Sequence, residues 1–325
     1  MESKILVTGG AGFIGSHLVD ELLAKGYSVL VIDNFNSYYS PKRKMLNIMQ
    51  HIPNKNFDLV VGNIEDFNFM EKVFKSYDIT KIIHLAAKAG VRPSIEDPIG
   101  YRVANVDGTL NLLELARRNK VQNFIFGSSS SVYGENTKMP FSEEDRVDLQ
   151  ISPYAVTKRT GEMLCKVYSQ LYGLNVSCLR FFTVYGPRGR PDMAPYKFID
   201  LLHKGLPISR YGDGTTRRDY TYVSDIVAGI IGALDKNFNF EIFNLGNSEM
   251  VVLNDFIRIV GEVVGKEPEI RQCPPQDGDV DVTYADISKA RKLLGYNPQV
   301  SFKNGMMSFY DWYLKEVDLP KKKAY

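Results

Sequence analysis

Short, largely apolar, strand-like runs alternate, over the first half of the chain, with stretches in which apolar residues recur every three or four positions. The runs fall at residues 5–7, 29–32, 57–61, 82–85, 124–127 and 176–181. Runs this rich in apolar residues suit strands buried on both faces, and the helical period between them suits helices laid over those faces. The pattern predicts an α/β fold of parallel strand–helix–strand units, a doubly wound parallel sheet. From about residue 183 the texture changes to Tyr-Gly-Pro-Arg-Gly-Arg-Pro-Asp. A strand-like run at 241–245 closed by Gly246 predicts a return to the sheet, while 253–264, 287–294 and 302–312 read as short amphipathic helices. The division expected is a first domain over 1–182 with a return segment at about 222–248, and a smaller C-terminal substrate-binding lobe from 183–221 and 249–325. The substrate cleft is expected between them.

The first run opens into Thr8-Gly9-Gly10-Ala11-Gly12-Phe13-Ile14-Gly15, and Leu18 and Leu22 continue at helical spacing. Glycines at a strand-to-helix turn let the backbone approach a pyrophosphate, whose charge is met by free N–H groups and the helix dipole. Gly9 and Gly12 take that role, and Gly15 is expected to let the helix pack close against the sheet. The second run ends in Asp33. A carboxylate there accepts hydrogen bonds from a ribose and repels a 2′-phosphate, so the predicted cofactor is NAD on a Rossmann-type sheet. Ligands on such sheets lie beyond the carboxyl ends of the strands, which draws in Asn63-Ile64, Ala86-Ala87-Lys88, Ser128 to Ser131 and Phe182-Thr183.

Ser152-Pro153-Tyr154-Ala155-Val156-Thr157-Lys158 reads as a helix start, with Ser152 as cap and Pro153 in the first turn. Tyr154 and Lys158 then share one face. An ammonium beside a phenol favours phenolate, so Lys158 is expected to pull the Tyr154 pKa down from about 10 and make it a proton acceptor near neutral pH. With Ser129 at the end of the fifth run, the three residues form a Ser–Tyr–Lys site suited to hydride transfer.

Composition narrows the field. The chain has 325 residues, 44% hydrophobic and 24% charged, enough for one large or two modest globular domains. A net charge of +2, with no basic run interleaved with aromatics ahead of Lys321-Lys322-Lys323, gives nucleic-acid binding little support. No stretch approaches the ~18 apolar residues of a membrane span, and the first strand begins almost at Met1, so a cytoplasmic location is expected. Cys165, Cys178 and Cys273 are widely spaced and lack a nearby His pair, which predicts neither a disulfide framework nor a metal site. His84, inside an apolar run, reads as a buried, hydrogen-bonded histidine.

The chain resembles the extended short-chain dehydrogenase/reductase family over essentially its whole length. The resemblance rests on Thr-Gly-x-x-Gly-x-x-Gly, Asp33-Asn34, His84-Leu85-Ala86-Ala87, Ser-Ser-x-x-Val-Tyr-Gly from Ser128 to Gly134, Tyr-x-x-x-Lys, and Arg218-Asp219-Tyr220 after Tyr211-Gly212-Asp213-Gly214. Within that family it most resembles nucleotide-sugar 4-epimerases of the UDP-glucuronate type, through Phe182-Thr183-Val184-Tyr185-Gly186-Pro187 and Gly189 to Ala194. The motifs and the resemblance together imply cofactor contacts from Gly9, Gly12, Phe13, Ile14, Gly15, Asp33, Asn34, Asn36, Asn63, Ile64, Leu85, Ala86, Ala87, Lys88, Asn105, Tyr154, Lys158 and Phe181. For a UDP-sugar, the resemblance implies Ser129, Ser130, Ser131 and Thr183 at the hexose, Tyr211 on uracil, and Arg218, Gln276 and Asp279 on the diphosphate and ribose. Arg190 follows a Pro-Arg-Gly turn beyond Thr183, and a guanidinium there suits a planar sugar carboxylate.

Thr183 and Thr283 depart from the galactose-type pattern and imply a roomier pocket at carbons 2 and 6. Gln276 stands where Arg is common, which changes the diphosphate clamp. Open alternatives are a UDP-glucose or UDP-N-acetylglucosamine 4-epimerase, a UDP-glucuronate decarboxylase, and a non-catalytic NAD sensor. The resemblance also implies a homodimer, packed through the helices at about 101–118 and 153–172.

Overall fold

The computed structural model describes residues 3–274 and 281–317. Its strands are β1 (Ser3–Thr8), β2 (Val29–Asp33), β3 (Phe57–Val61), β4 (Asp78–His84), β5 (Asn123–Ser129), β6 (Val176–Phe181), β7 (Thr183–Tyr185), β8 (Ile208–Tyr211), β9 (Arg217–Tyr222), β10 (Phe240–Leu245), β11 (Met250–Val252) and β12 (Ile270–Cys273). Seven of them form one parallel sheet in the order β10-β6-β5-β4-β1-β2-β3. The direction of winding reverses between β1 and β4, so the loops at their carboxyl ends part and leave a crevice.

Every strand run read from the sequence is present. Alternate side chains of the central strands enter separate apolar layers: Ile5 and Val7 pack with Leu18, Leu22, Ile226 and Ile230, whereas Leu6 packs with Val73, Leu112, Phe124 and Cys165. β4 starts at Asp78, four residues ahead of its apolar run, because its first part alternates polar and apolar positions at the sheet margin. The helix Val223–Leu234 and strand β10 are the chain's return to the sheet, with Phe243 beside Leu179 of β6.

The remaining strands build the smaller lobe. β9 lies between β7 and β11, and β12 pairs with β8. The helices Ala194–His203, Leu253–Val264 and Phe302–Val317 accompany these strands around a core of Tyr185, Phe198, Tyr220, Phe256, Phe302 and Phe309. Only Phe182 separates β6 from β7, so the cleft wall crosses from one lobe to the other within one residue.

The helix Pro153–Tyr172 begins as its sequence directs. The Ser152 hydroxyl accepts from Ala155 N–H at 3.2 Å, and Gly173 ends the helix at φ +67°. Two turns beyond Tyr154 the same helix carries Glu162, which is fully buried. Arg180 of β6 grips this carboxylate with Nε and Nη2, both at 2.9 Å, and Ser128 donates to it at 2.7 Å. Arg159 adds a bond of 3.1 Å. The Arg180 guanidinium also lies 4.8 Å over the Tyr133 ring, whose hydroxyl donates to Asn244 at 2.7 Å.

Replacing one partner of such a pair strands a buried charge, while replacing both with apolar groups does not. Arg180→Met is therefore expected to cost about 3–5 kcal/mol in urea unfolding, and Arg180→Met with Glu162→Leu to recover most of it. Additive losses in the double variant would contradict the coupling.

Candidate active site

The crevice begins at the turn after β1. Gly9 has φ +70°, and a Cβ there would stand 2.8 Å from Ala86 N, so the position requires glycine. Gly12 precedes the helix Phe13–Ala24, which no side chain caps. A Cβ on Gly12 would approach only Gly9 O, at 3.1 Å, and the Tyr39 hydroxyl, at 4.0 Å. Gly15 differs from expectation: its Cβ would meet Gly9 O at 2.2 Å, so its smallness admits the turn's own backbone and not the sheet. Asp33, buried at the end of β2, accepts from Ala11 N at 3.1 Å and Phe35 N at 2.9 Å. An uncapped helix N-terminus, space where a Cβ would stand and an inward carboxylate fit the pyrophosphate and ribose of NAD.

A cavity of about 1220 Å³ runs from this turn to the smaller lobe. Its wall includes Gly9, Gly12, Phe13, Ile14, Gly15, Asp33, Asn34, Asn36, Ile64, Leu85, Ala86, Ala87, Lys88 and Phe181 of those expected at the cofactor. Ser129, Ser130, Ser131, Tyr154, Lys158, Thr183, Arg190 and Arg218 line the rest. Three expected contacts stand off the wall. Asn63 sits behind Asn34, accepting its amide at 2.9 Å. Asn105, buried in a π-helical turn over Val103–Asp107, braces the loop by accepting from Lys88 N at 2.8 Å and donating to Lys88 O at 2.9 Å. Tyr211 is half-exposed and pairs in register with Cys273. Gln276 and Asp279 lie outside the described residues.

The electrostatics correct one expectation. Burial raises the Tyr154 pKa, and the groups pulling it down are the Ser129 hydrogen bond and the Arg190 charge. Lys158 instead donates to Gly127 O at 2.7 Å. Its own pKa is lowered to about 8 by burial, against the opposing pull of Cys165 and Glu162. Arg190 is already engaged: Nε and Nη2 reach Asp192 at 3.0 and 2.5 Å, and Nη2 also approaches the Tyr38 hydroxyl at 3.2 Å. Among the described residues its Nη1 carries no hydrogen bond, so Arg190 offers a sugar carboxylate one nitrogen and not a fork.

Residues that sequence reasoning passed over also line the cavity, among them Tyr38, Tyr39, Lys44, Asp192 and Lys197. The first three lie in a polar and aromatic segment directly after Asp33. Their position just past a strand end was the available signal.

Fold and site together define a Rossmann-type dinucleotide-binding protein that carries a Ser–Tyr–Lys set over the cofactor crevice. The chain belongs to the GDP-mannose 4,6 dehydratase family, whose pattern matches residues 6–309. It is 41% identical to the UDP-glucuronate 4-epimerase of Thermodesulfobacterium geofontis, over 97% of this chain and 98% of that one. Among solved structures, the UDP-glucuronic acid 4-epimerase of Bacillus cereus, in complex with UDP-glucuronic acid and NAD, superposes with a TM-score of 0.90 at 38% identity, covering 96% and 99% of the two chains. The UDP-glucose 4-epimerase of Thermotoga maritima, with UDP-glucose, gives 0.89 at 36% identity, covering 97% and 100%.

His84 is a buried, fully bonded histidine, as its apolar setting suggested. Ala86 N–H donates to the Thr8 hydroxyl at 3.2 Å, which meets His84 Nδ1 at 2.8 Å, and His84 Nε2 meets the Thr109 hydroxyl, itself a donor to Asn105 O, at 2.9 Å. This order assigns a neutral ring with its proton on Nε2. Burial, then the Lys158 charge, lowers its pKa to about 3. Since the unfolded ring titrates near 6.5, the stability from neutral His84 is complete above that pH and is lost as pH falls toward 3. At pH 5 the loss should be about 2 kcal/mol relative to pH 8, and His84→Gln should flatten that part of the profile. An unchanged slope in the variant would contradict the assignment.

Proposed function

We propose that this chain interconverts UDP-glucuronate and UDP-galacturonate by NAD-dependent epimerisation at carbon 4. The observation that carries the reading is one cavity holding both a glycine turn with Asp33 and the Ser129–Tyr154 hydroxyl pair, within a chain so close to NAD-bearing 4-epimerases. Tyr154 takes the proton of the 4-hydroxyl, and Ser129, bonded to it, aligns that hydroxyl. The Arg190 charge favours the phenolate against the cost of burial. Bound NAD would accept the hydride from carbon 4 and return it to the opposite face of the keto sugar. Tyr154 then gives its proton back to the new hydroxyl.

A grip on the nucleotide with a loose hold on the hexose lets the keto sugar turn. Arg218 and the smaller lobe supply the first, and the hydroxyls of Ser130, Ser131 and Thr183 the second. For the 6-carboxylate, Thr183 and Arg190 Nη1 are the groups offered, and a charge-assisted contact contributes about 1.5–3 kcal/mol. This division assigns 1–182 with 222–248 to the cofactor and 183–221 with 249–325 to the substrate. Three free thiols fit a reducing, cytoplasmic setting. No described helix is long and apolar enough to cross a membrane.

The reading includes a homodimer. Leu110, Met163, Val167 and Leu171 are exposed apolar residues on the two helices expected at the interface, Leu171 at 67%. Leu113, on the first of these helices, is instead buried in the sheet's apolar layer.

Tyr154→Phe keeps the ring and removes the proton acceptor, so turnover of UDP-glucuronate should fall by roughly 10²–10⁴ with NAD still bound. UDP-galacturonate should be the product of the unaltered enzyme. A UDP-pentose product would indicate decarboxylation instead, and faster conversion of UDP-glucose would move the substrate to a neutral hexose. Light scattering at micromolar concentration is expected to give twice the chain mass of 36.8 kDa. A monomer mass would refute the dimer.

A further inference from the structure

The loop from β7 to the helix Ala194–His203 carries Arg190 to the cavity, and it opens on a turn whose sequence is at odds with its backbone. Gly189 N–H donates to Gly186 O at 3.0 Å, closing four residues, Gly186-Pro187-Arg188-Gly189. Proline fixes a negative φ at the second position, and Arg188 follows at φ +61°. That combination is a type II turn, whose third position favours glycine. A long side chain in this conformation is strained and persists only where its surroundings hold it.

What holds it is the helix Phe13–Ala24, which starts at the glycine turn. Arg188 Nη1 donates to Asp20 Oδ2 at 2.7 Å in a half-buried pair. One turn earlier on the same helix face, His17 donates from Nε2 to Pro187 O at 2.9 Å, and burial lowers its pKa so that the ring stays neutral. Asp20 is braced in turn: His51 Nε2 lies 2.6 Å from its Oδ1, and Gln50 donates to the same oxygen at 3.1 Å. Two successive residues of the turn are thus fixed to one helix, two positions ahead of Arg190.

We propose that Arg188 is a positioning residue: its pair with Asp20 sets the turn so that the Arg190 guanidinium stands where it acts on Tyr154. The inference rests on the reading of Tyr154 as the proton acceptor. Facing Tyr154, Ser129 and Arg190 favour its phenolate while burial opposes it. The Tyr101 ring meets it edge-on at 6.2 Å and keeps its own proton, and Lys158, one turn along the helix, donates to Gly127 O. Of these groups Arg190 alone comes from a loop outside the large sheet and its helices, so its place depends on how that loop is anchored. The helix that begins at the cofactor crevice would in this way also place a charge beside the reacting hydroxyl.

The test replaces Arg188 by Gly, which the turn prefers, and by Lys, which can still offer Asp20 one charged donor. Each protein is titrated with NAD bound, following tyrosinate absorbance, and the part due to Tyr154 is the difference from the same protein carrying Tyr154→Phe. Arg188→Gly is expected to raise the Tyr154 midpoint by about one pH unit, the lower end of what an opposite charge nearby supplies. Below that midpoint, turnover of UDP-glucuronate should fall by about tenfold with the phenolate fraction. Arg188→Lys should keep most of both, and Asp20→Ala should reproduce the glycine variant with no further loss when the two are combined. The urea midpoint and NAD affinity of Arg188→Gly should hold, since the strain leaves with the ion pair. An unmoved Tyr154 midpoint would overturn the proposal, as would a matching loss of NAD affinity, which would mark a displaced helix and not a displaced Arg190. If the Tyr154 midpoint moved as expected but the unaltered chain left UDP-glucuronate unchanged, the substrate reading would fall and the positioning of Arg190 would stand.

Discussion

The buried pair between Arg180 and Glu162 holds the helix of Tyr154 and Lys158 against the end of the sheet. Glu162 lies on the helix that carries Tyr154 and Lys158, Arg180 on β6, and Ser128, which also bonds the carboxylate, beside Ser129 on β5. One carboxylate thus fixes the helix against both strands that border the cavity. Neither charge is tolerable alone in that apolar setting, so the pair must form for the elements to pack. The geometry of Ser129 relative to Tyr154 follows from that necessity.

A second consequence of burial is the opposition it sets up in the site. It disfavours the phenolate of Tyr154 and the ammonium of Lys158 alike, and only nearby charges and hydrogen bonds counter it. Arg190 acts on Tyr154 from the smaller lobe, held in place by Asp192 and Tyr38. The electrostatics of the site therefore depend on how the two lobes meet. The His84 relay works in the other direction, tying β1, β4 and the loop that carries Lys88 into one hydrogen-bonded unit beneath the glycine turn.

Much of this was legible in the residues. Apolar runs marked every strand of the large sheet, most plainly β1 and β2, which are covered on both faces and carry no polar alternation past Lys4. The Ser152 cap, the Pro153 start and the glycine turn are local chemistry, so they read directly. Gly15, Asn63 and Asn105 were placed less well. Each acts on a neighbour brought close by folding: Gly15 on the carbonyl of Gly9, Asn63 on Asn34, and Asn105 on the Lys88 backbone through a π turn that no short-range pattern announces.

The sequence by itself determined the sheet, the glycine turn, the acid at the end of β2 and the spacing of Tyr154 and Lys158, because each rests on contacts within a few residues or on strict periodicity. Tertiary structure decided the charges. That Lys158 turns to Gly127, that Arg190 is taken up by Asp192, and that the Tyr39 hydroxyl stands buried beside Gly12 all depend on groups far apart in the chain. Electrostatic interactions act through space and change with burial, and neither the distances nor the burial exist until the two lobes have closed on each other.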